Sequence, residues 1–180
     1  GVGQSLAFNF TEGPRAPIDP AGEKDRKVLY IVDAGQTTAL LMDNGDVWCS
    51  GYNGYGQVGD GTSTQRNMFR KLSFSSGGVE RPIKKLICTH ANDSGSNGRT
   101  ANLTYCAIDD SGGTWFWGYN GHGQVGVGNT LNDSSTNWIP RLQAYFNGSY
   151  YNTKDVWGGG GDTGWFHLLN TNDELFALGY

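Results

Sequence analysis

The sequence lacks several features that mark common classes of protein. Its apolar runs fall short of the roughly 18 residues that a membrane span needs, and residues 1–30 lack the basic and then apolar layout of a signal peptide. No segment of ten or more residues combines helical periodicity with capping residues. We therefore expect no membrane insertion and no helical domain.

Basic charge is also scarce. The chain carries 13 Lys and Arg against 17 Asp and Glu, which gives a formal net charge of −4. The densest basic groups are Lys84-Lys85 and Arg66 with Arg70-Lys71. A surface for nucleic acid needs clustered cations that displace phosphate counterions, so we expect no nucleic-acid partner.

The three cysteines form no C-x-x-C pair, which argues against a zinc ribbon or a thioredoxin-type site. We interpret Cys49, Cys88 and Cys106 as buried free thiols. Cys88 and Cys106 flank one loop and can lie on neighbouring strands. A disulfide between these two therefore stays open at this point.

Motifs for catalysis, metals and cofactors are missing as well. His90, His122 and His167 show no ligand spacing, and no serine lies in a G-x-S-x-G elbow. No acidic loop has the spacing of a calcium site. The sequence therefore predicts a protein that is not an enzyme and has neither a metal nor a cofactor.

What the sequence does contain is a repeat. The stretch Gly51–Gly59 returns as Gly118–Gly126, sixty-seven residues later and identical at eight of nine positions. The final Leu178-Gly179-Tyr180 enters the same motif again. We expect two repeats and most of a third, within a segment of a longer protein.

Each copy has the pattern strand, strand, tight turn, strand, motif, loop, strand. We divide the chain into an irregular lead-in or linker (1–27), repeat 1 (28–82), repeat 2 (83–153) and partial repeat 3 (154–180). The predicted strands are Val28–Val32 (a buried strand), Thr37–Met42, Val47–Ser50, Met68–Leu72, Lys84–Cys88, Leu103–Ile108, Thr114–Trp117, Trp138–Leu142, Lys154–Trp157, Trp165–Leu169 and Glu174–Tyr180.

One such unit cannot bury both of its faces, so the copies must stack sideways, and four-stranded units arranged radially make a β-propeller. We predict an all-β fold with blades of four antiparallel strands, about three blades of a larger propeller. Aromatic side chains should fill the gaps between blades. The candidates are Trp48, Trp115, Phe116, Trp117 and Phe176.

The motif also spells G-x-G-x-x-G, the fingerprint of dinucleotide binding, but no helix can open at its third glycine. A structural role uses every residue: glycines take positive φ, the asparagine bonds its own turn and the glutamine satisfies loop amides. The fold-defining residues are Gly51, Asn53, Gly56, Gln57, Gly59, Gly118, Asn120, Gly123, Gln124 and Gly126.

This pattern resembles the regulator of chromosome condensation repeat family. The resemblance rests on Asn44-Gly45, Val47-Trp48 and Ser50–Gly59, and on Ser111-Gly112, Trp115 and Trp117–Gly126. It implies a seven-bladed propeller. Thr37, Thr104 and Trp165 stand where the family often has histidine, and Val58 and Val125 where it has leucine, which indicates a divergent member.

Surface recognition is the remaining expectation. Tyr55 and His122 occupy the one variable slot of the motif, and Arg66 and Trp138 lie in or beside the loops 62–67 and 129–138. These four are our candidate partner-binding residues. The partner is a protein or glycan receptor, or other blades or subunits of the same assembly. We also expect the protein to form an oligomer.

The sequence favours a non-enzymatic binding or structural module of an extracellular or virion assembly, such as a phage tail fibre or receptor-binding protein. Five Asn-x-Ser/Thr sequons give weak support for secretion. They begin at Asn9, Asn92, Asn102, Asn132 and Asn147. The alternative, which the resemblance to the repeat family implies, is an intracellular, cytoplasmic propeller that regulates a small GTPase as a guanine-nucleotide exchange factor.

Overall fold

The computed structural model describes residues 26–33, 36–91, 102–133, 137–143, 152–160 and 164–179. These residues form β-strands and loops and no helix. In chain order the strands are β1 (Val28–Asp33), β2 (Thr37–Met42), β3 (Val47–Gly51), β4 (Arg66–Lys71), β5 (Ser75–Ser76), β6 (Val79–Glu80), β7 (Ile83–Ala91), β8 (Asn102–Asp109), β9 (Thr114–Gly118), β10 (Arg141–Leu142), β11 (Thr153–Gly159), β12 (Trp165–Asn170) and β13 (Leu175–Gly179). Nearly all of the lead-in and the Asn- and Ser-rich insertion lie outside the described residues.

The strands form three blade-like antiparallel sheets. The first blade is β1-β2-β3-β4, the second β7-β8-β9-β10 and the third β11-β12-β13, while β5 and β6 make a separate hairpin. Residue pairs at equivalent positions lie at the open end of each central hairpin. They are Thr37 opposite Gly51, Thr104 opposite Gly118 and Trp165 opposite Gly179. The predicted all-β fold of propeller blades is confirmed.

Polar turns close the central hairpin of each blade. In the first, Gly45 has φ 84° and its N–H donates to the Met42 carbonyl. In the second, the Asp109 carboxylate accepts the N–H groups of Ser111 and Gly113. Turn chemistry therefore sets the register of each blade and aligns the two motif loops at the opposite end.

The core lies between blades and not within one. Neighbouring residues of β9 point to opposite faces, so Trp115 and Trp117 pack towards the first blade while Phe116 packs towards the third. Phe176 packs against the second interface. Trp48 lies in neither cluster. Four of the five predicted aromatic residues thus fill gaps between described blades.

Two strand predictions need correction, and one hairpin was missed. β1 was expected to be buried, but Leu29, Tyr30 and Ile31 are more than half exposed, because Val32 is the only β1 residue that packs against a described core cluster. Of the predicted strand 138–142, only Arg141–Leu142 is strand, since Pro140 cannot donate to a ladder. The β5–β6 hairpin was not predicted.

The register of β7 and β8 settles the disulfide question. Cys88 lies opposite Tyr105, and Cys106 lies opposite Ile87. The two thiols therefore point to opposite faces of the sheet, and Cys106 belongs to the interface with the third blade while Cys88 packs at the other interface. Cys49, Cys88 and Cys106 are all free.

Within the described residues, no helix is long and apolar enough to cross a membrane.

Candidate interaction surface

Each motif loop is built around one buried asparagine. The Asn53 Oδ1 accepts the N–H of Val58 at 2.8 Å, while its Nδ2 donates to the carbonyls of Thr62 at 2.9 Å and Thr64 at 3.1 Å. Asn53 has no exposed surface. A single side chain thus ties the start of the loop to residues nine and eleven positions later.

The second copy repeats this arrangement. The Asn120 Oδ1 accepts the Val125 N–H at 3.0 Å, and its Nδ2 donates to the carbonyls of Asn129 at 3.0 Å and Leu131 at 3.1 Å. Buried amides need such partners, because an unpaired one costs about 1–3 kcal/mol. The backbones of the two loops are therefore held by the same hydrogen bonds to the motif asparagine, although the later residues of the loops differ.

The motif glutamine fixes the backbone of the variable slot. The Gln57 Oε1 accepts the N–H of Tyr55 at 2.8 Å, and the Gln124 Oε1 accepts that of His122 at 2.9 Å. Both glutamines are buried. The hydrogen bond to the glutamine thus fixes the main chain of the variable residue, Tyr55 or His122, and places no requirement on its side chain.

Residues of the second blade pack directly on the first motif. Gly56 has φ 75°, and a Cβ added there would lie 2.6 Å from the Trp138 Cα and overlap the indole ring. Its counterpart Gly123 has φ 77°, but an added Cβ would meet only the Asn129 carbonyl, 4.0 Å away. Of these two equivalent glycines, only Gly56 is therefore constrained by a described residue of a neighbouring blade.

Asn137 joins the two blades. It is fully buried, and its Nδ2 donates to the Tyr55 carbonyl of the first blade at 3.1 Å and to the Gly118 carbonyl of the second. Its Oδ1 accepts the Asp133 N–H at 2.7 Å. No sequence pattern pointed to Asn137, which lies outside the repeated motif.

Three rings line the seam between these blades. The Tyr55 and Tyr119 centroids lie 5.1 Å apart in an edge contact, and those of Tyr119 and His122 lie 5.9 Å apart. All three side chains are half-buried. We call Tyr55, Tyr119 and His122 the seam row; Trp138 lies beside it, against Gly56.

Arg66 has a different environment from the other three candidates. Its guanidinium pairs with the Asp60 carboxylate and donates to the Thr62 Oγ1 at 3.1 Å. Burial opposes ionisation of Asp60, but the Thr62 hydrogen bonds and the Arg66 ion pair outweigh it and lower the pKa of this carboxyl. In the described residues Arg66 thus braces its own loop, and Tyr55, His122 and Trp138 gather at the seam without it.

Comparisons with known proteins agree with this architecture. Residues 32–57 match the family model of the regulator of chromosome condensation (RCC1) repeat. The chain is 32% identical over 109 residues to the human X-linked retinitis pigmentosa GTPase regulator, covering 61% of this chain and 9% of that protein. It is 26% identical over 146 residues to the human probable E3 ubiquitin-protein ligase HERC4, covering 76% and 12%.

The fold resembles solved propellers. The structure of yeast RCC1 (Prp20) bound to Kap60 superposes with a TM-score of 0.63 at 18% identity, covering 92% of this chain and 32% of that one. The chain spans about a tenth of the length of the two curated relatives. Repeat motif, blade topology and relatives agree, and they confirm the resemblance of this chain to proteins built from regulator of chromosome condensation repeats.

Proposed function

We propose that this chain is the protein-binding part of an RCC1-type propeller whose whole protein regulates a small GTPase. Its similarity to a protein named as a GTPase regulator carries the proposal. The fold that it shares with yeast RCC1, solved in complex with Kap60, supports a role in protein interaction. The alternative function that the resemblance to the repeat family implied is therefore the one that we adopt, in place of the virion module.

The motif loops support a binding role. Asn53, Gln57 and Asn137 hold the backbone around Tyr55 from both blades. A surface that is already ordered loses less conformational entropy on association than a loop that must first be fixed. Aromatic residues on such a surface are typical of sites that bind other proteins.

We propose an intracellular location. Burial raises the pKa of the Cys49 and Cys106 thiols, and of Cys88 to about 11, so all three stay protonated and unreactive at neutral pH. Asn102, which begins a sequon, is only 6% exposed and has no room for a glycan. Three free cysteines without a disulfide suit a reducing compartment better than secretion, and the buried Asn102 gives no support for glycosylation.

None of the relatives named above is a virion protein, so the tail-fibre hypothesis has no support from them. We also propose no catalysis by this segment, since the HERC4 relative shares only 12% of its length with it. A glycan receptor and oligomer formation remain predictions from the sequence.

A nucleotide-exchange assay tests the proposal. The full-length protein is added to a panel of purified small GTPases loaded with fluorescent GDP, and release is followed with and without it. We expect faster release, or stable binding, for at least one GTPase. Neither effect with any member, for a protein shown to be folded, would overturn the regulatory role.

A further inference from the structure

One serine of the chain carries the sequence pattern of a kinase substrate. Arg70 and Lys71 lie three and two positions before Ser73, and Ser73 is the only serine or threonine in the sequence with a basic residue three positions before it. Many serine/threonine kinases select their substrates by basic residues at these positions, which pair with carboxylates of the kinase. The pattern lies outside the repeated motif and has no part in the proposed function.

The folded chain presents this pattern at its surface. The side chains of Arg70, Lys71 and Ser73 are exposed, whereas the intervening Leu72 is buried. Arg70 and Lys71 end β4, the outer strand of the first blade, which in the described part of the chain pairs with β3 alone. An edge strand of this kind offers an extended backbone to an approaching protein. A kinase can therefore reach the Ser73 hydroxyl while the first blade stays folded.

The Ser73 hydroxyl closes the base of the β5–β6 hairpin. It donates to one carboxylate oxygen of Glu80, and the other oxygen accepts the Phe74 N–H at 3.0 Å. Arg81, the next residue, donates its N–H to the Phe74 carbonyl at 2.9 Å. One carboxylate thus holds both the serine and the backbone at the point where the hairpin begins.

The base of this hairpin continues into the core between the first two blades. Phe74 is 2% exposed. Its ring makes edge contacts with Trp115 and Trp117, at centroid distances of 5.6 Å and 5.5 Å. The exposed hairpin therefore extends from a buried anchor, and the bonds to Glu80 lie at the boundary between the two.

We propose that Ser73 is a phosphorylation site for a serine/threonine kinase that recognises basic residues, and that the phosphate releases the β5–β6 hairpin. The Ser73 Oγ attacks the γ-phosphorus of ATP, the bond from that phosphorus to ADP breaks, and the hydroxyl proton passes to the catalytic aspartate of the kinase. The site requires the intracellular location proposed above, where ATP is available, but it does not depend on GTPase binding.

The release follows from the charge that the phosphate brings. The esterified Ser73 oxygen has no proton to donate to Glu80, and a phosphate with a charge of about −1.5 to −2 at neutral pH is placed beside that carboxylate. Repulsion between like charges then moves Glu80 away and leaves the Phe74 N–H without its acceptor.

Two nearby basic groups act against this release. The Lys71 Nζ is already paired with the Asp46 carboxylate. Arg81 directly follows Glu80, and neighbouring side chains of an extended chain point to opposite sides. Because Glu80 is in direct contact with the Ser73 hydroxyl, its repulsion dominates.

Phosphorylation of the full-length protein tests the site. The folded protein is incubated with the catalytic subunit of cyclic-AMP-dependent protein kinase, ATP and Mg²⁺, and the modified residues are mapped by mass spectrometry. We expect phosphate at Ser73. Ser75→Ala is the matched control, since Ser75 is an exposed serine without a basic residue two or three positions before it, and Ser73 should be modified in it as before. Arg70→Ala should lower kcat/KM at least about tenfold, the loss of one charge-assisted contact.

Two results of this assay would overturn the site. One is the absence of phosphate at Ser73 of the folded protein when the same kinase modifies a peptide of residues 68–78. The other is an unchanged kcat/KM for Arg70→Ala, with thermal unfolding used to check that this variant is folded.

Hydrogen exchange of the phosphorylated and unmodified protein tests the release. We expect the amides of Phe74 and Arg81 to exchange at least about fivefold faster after phosphorylation, because their hydrogen bonds are lost. Glu80→Gln keeps an acceptor but removes the charge, so phosphorylation should change its exchange much less.

An equal acceleration in Glu80→Gln would overturn the release by repulsion. Unchanged or slower exchange would do so too, the latter through capture of the phosphate by Lys71 or Arg81. Neither measurement involves a GTPase, so the failure of GTPase regulation and the failure of this inference are distinguished directly.

Discussion

The two motif glycines at equivalent positions provide a matched pair of substitutions. Both have positive φ, which costs an alanine about 1–2 kcal/mol relative to glycine. Gly56→Ala also drives its methyl group into Trp138, with the Cα only 2.6 Å away. Gly123→Ala meets no such atom, because the nearest is 4.0 Å distant.

Overpacking of a fixed neighbour adds about 1–3 kcal/mol. We therefore expect Gly56→Ala to reduce the free energy of unfolding by about 2–5 kcal/mol, and Gly123→Ala by about 1–2 kcal/mol. The contact is with the backbone as well as the ring of Trp138, so rotation of the indole cannot relieve it.

Urea denaturation of the full-length protein, followed by tryptophan fluorescence and circular dichroism together, measures both losses. Coincidence of the two probes checks that one transition is being compared. The double variant Gly56→Ala with Trp138→Ala should show a favourable coupling, because the overlap with the ring has been removed. Equal destabilisation by the two alanines would refute the packing of the second blade on the first motif.

Further predictions concern the seam, acid stability and the thiols. Asn137→Ala should lower the free energy of unfolding, measured by urea denaturation, by about 2–4 kcal/mol, because it leaves two carbonyls unpaired. The matched control Asn67→Ala, at an exposed asparagine, should change it little. Similarly small effects of both variants would argue against the hydrogen bond between the blades. The pKa of Asp60 is lowered in the folded state, so the ionised carboxylate stabilises the fold above about pH 4, and this contribution is lost as the pH falls through the folded pKa. Asp60→Asn should therefore lose less free energy of unfolding than the unmodified protein between about pH 5 and pH 2. An unchanged dependence of stability on acid pH would contradict the pairing with Arg66. The pKa of Cys88 is about 11, so labelling by a thiol reagent should be slow at pH 7 and accelerate towards pH 11; rapid labelling at pH 7 in native protein would show that Cys88 is not held as described.

The sequence predicted the blades well because their determinants are local and repeated. A motif that recurs at eight of nine positions fixes where the β2–β3 and β8–β9 hairpins end. The Asn-Gly pair at 44 and 45 sets the first turn, as expected for a residue with φ 84°. The alternation of Trp115, Phe116 and Trp117 between two faces follows from strand geometry alone.

The seam was harder to predict because its contacts come from residues far apart in sequence. Asn137 reaches the Tyr55 carbonyl eighty-two positions away, and nothing in its own neighbourhood repeats. Trp138 was assigned to a strand because 138–142 closes the second repeat as Met68–Leu72 closes the first, whereas the Trp138 carbonyl accepts the Gly61 N–H of the other blade. Tyr119 was treated as a motif residue, although it is the ring between the two candidates Tyr55 and His122.

The exposure of β1 has a similar cause. An apolar, β-branched run indicates a strand, but it carries no information on how many neighbours that strand has. Nor does it say what covers the faces of that strand: Leu29 and Ile31 are exposed, and of β1 only Val32 packs against a described core cluster.

Hydrogen exchange of the full-length protein, with and without a bound small GTPase from the panel, tests the central claim most directly. A protein-binding propeller that uses the seam should show new protection in the motif loops 52–65 and 119–133 and around Asn137. Protection confined to the hairpin turns at the other end, or the absence of any GTPase that binds, would contradict the account.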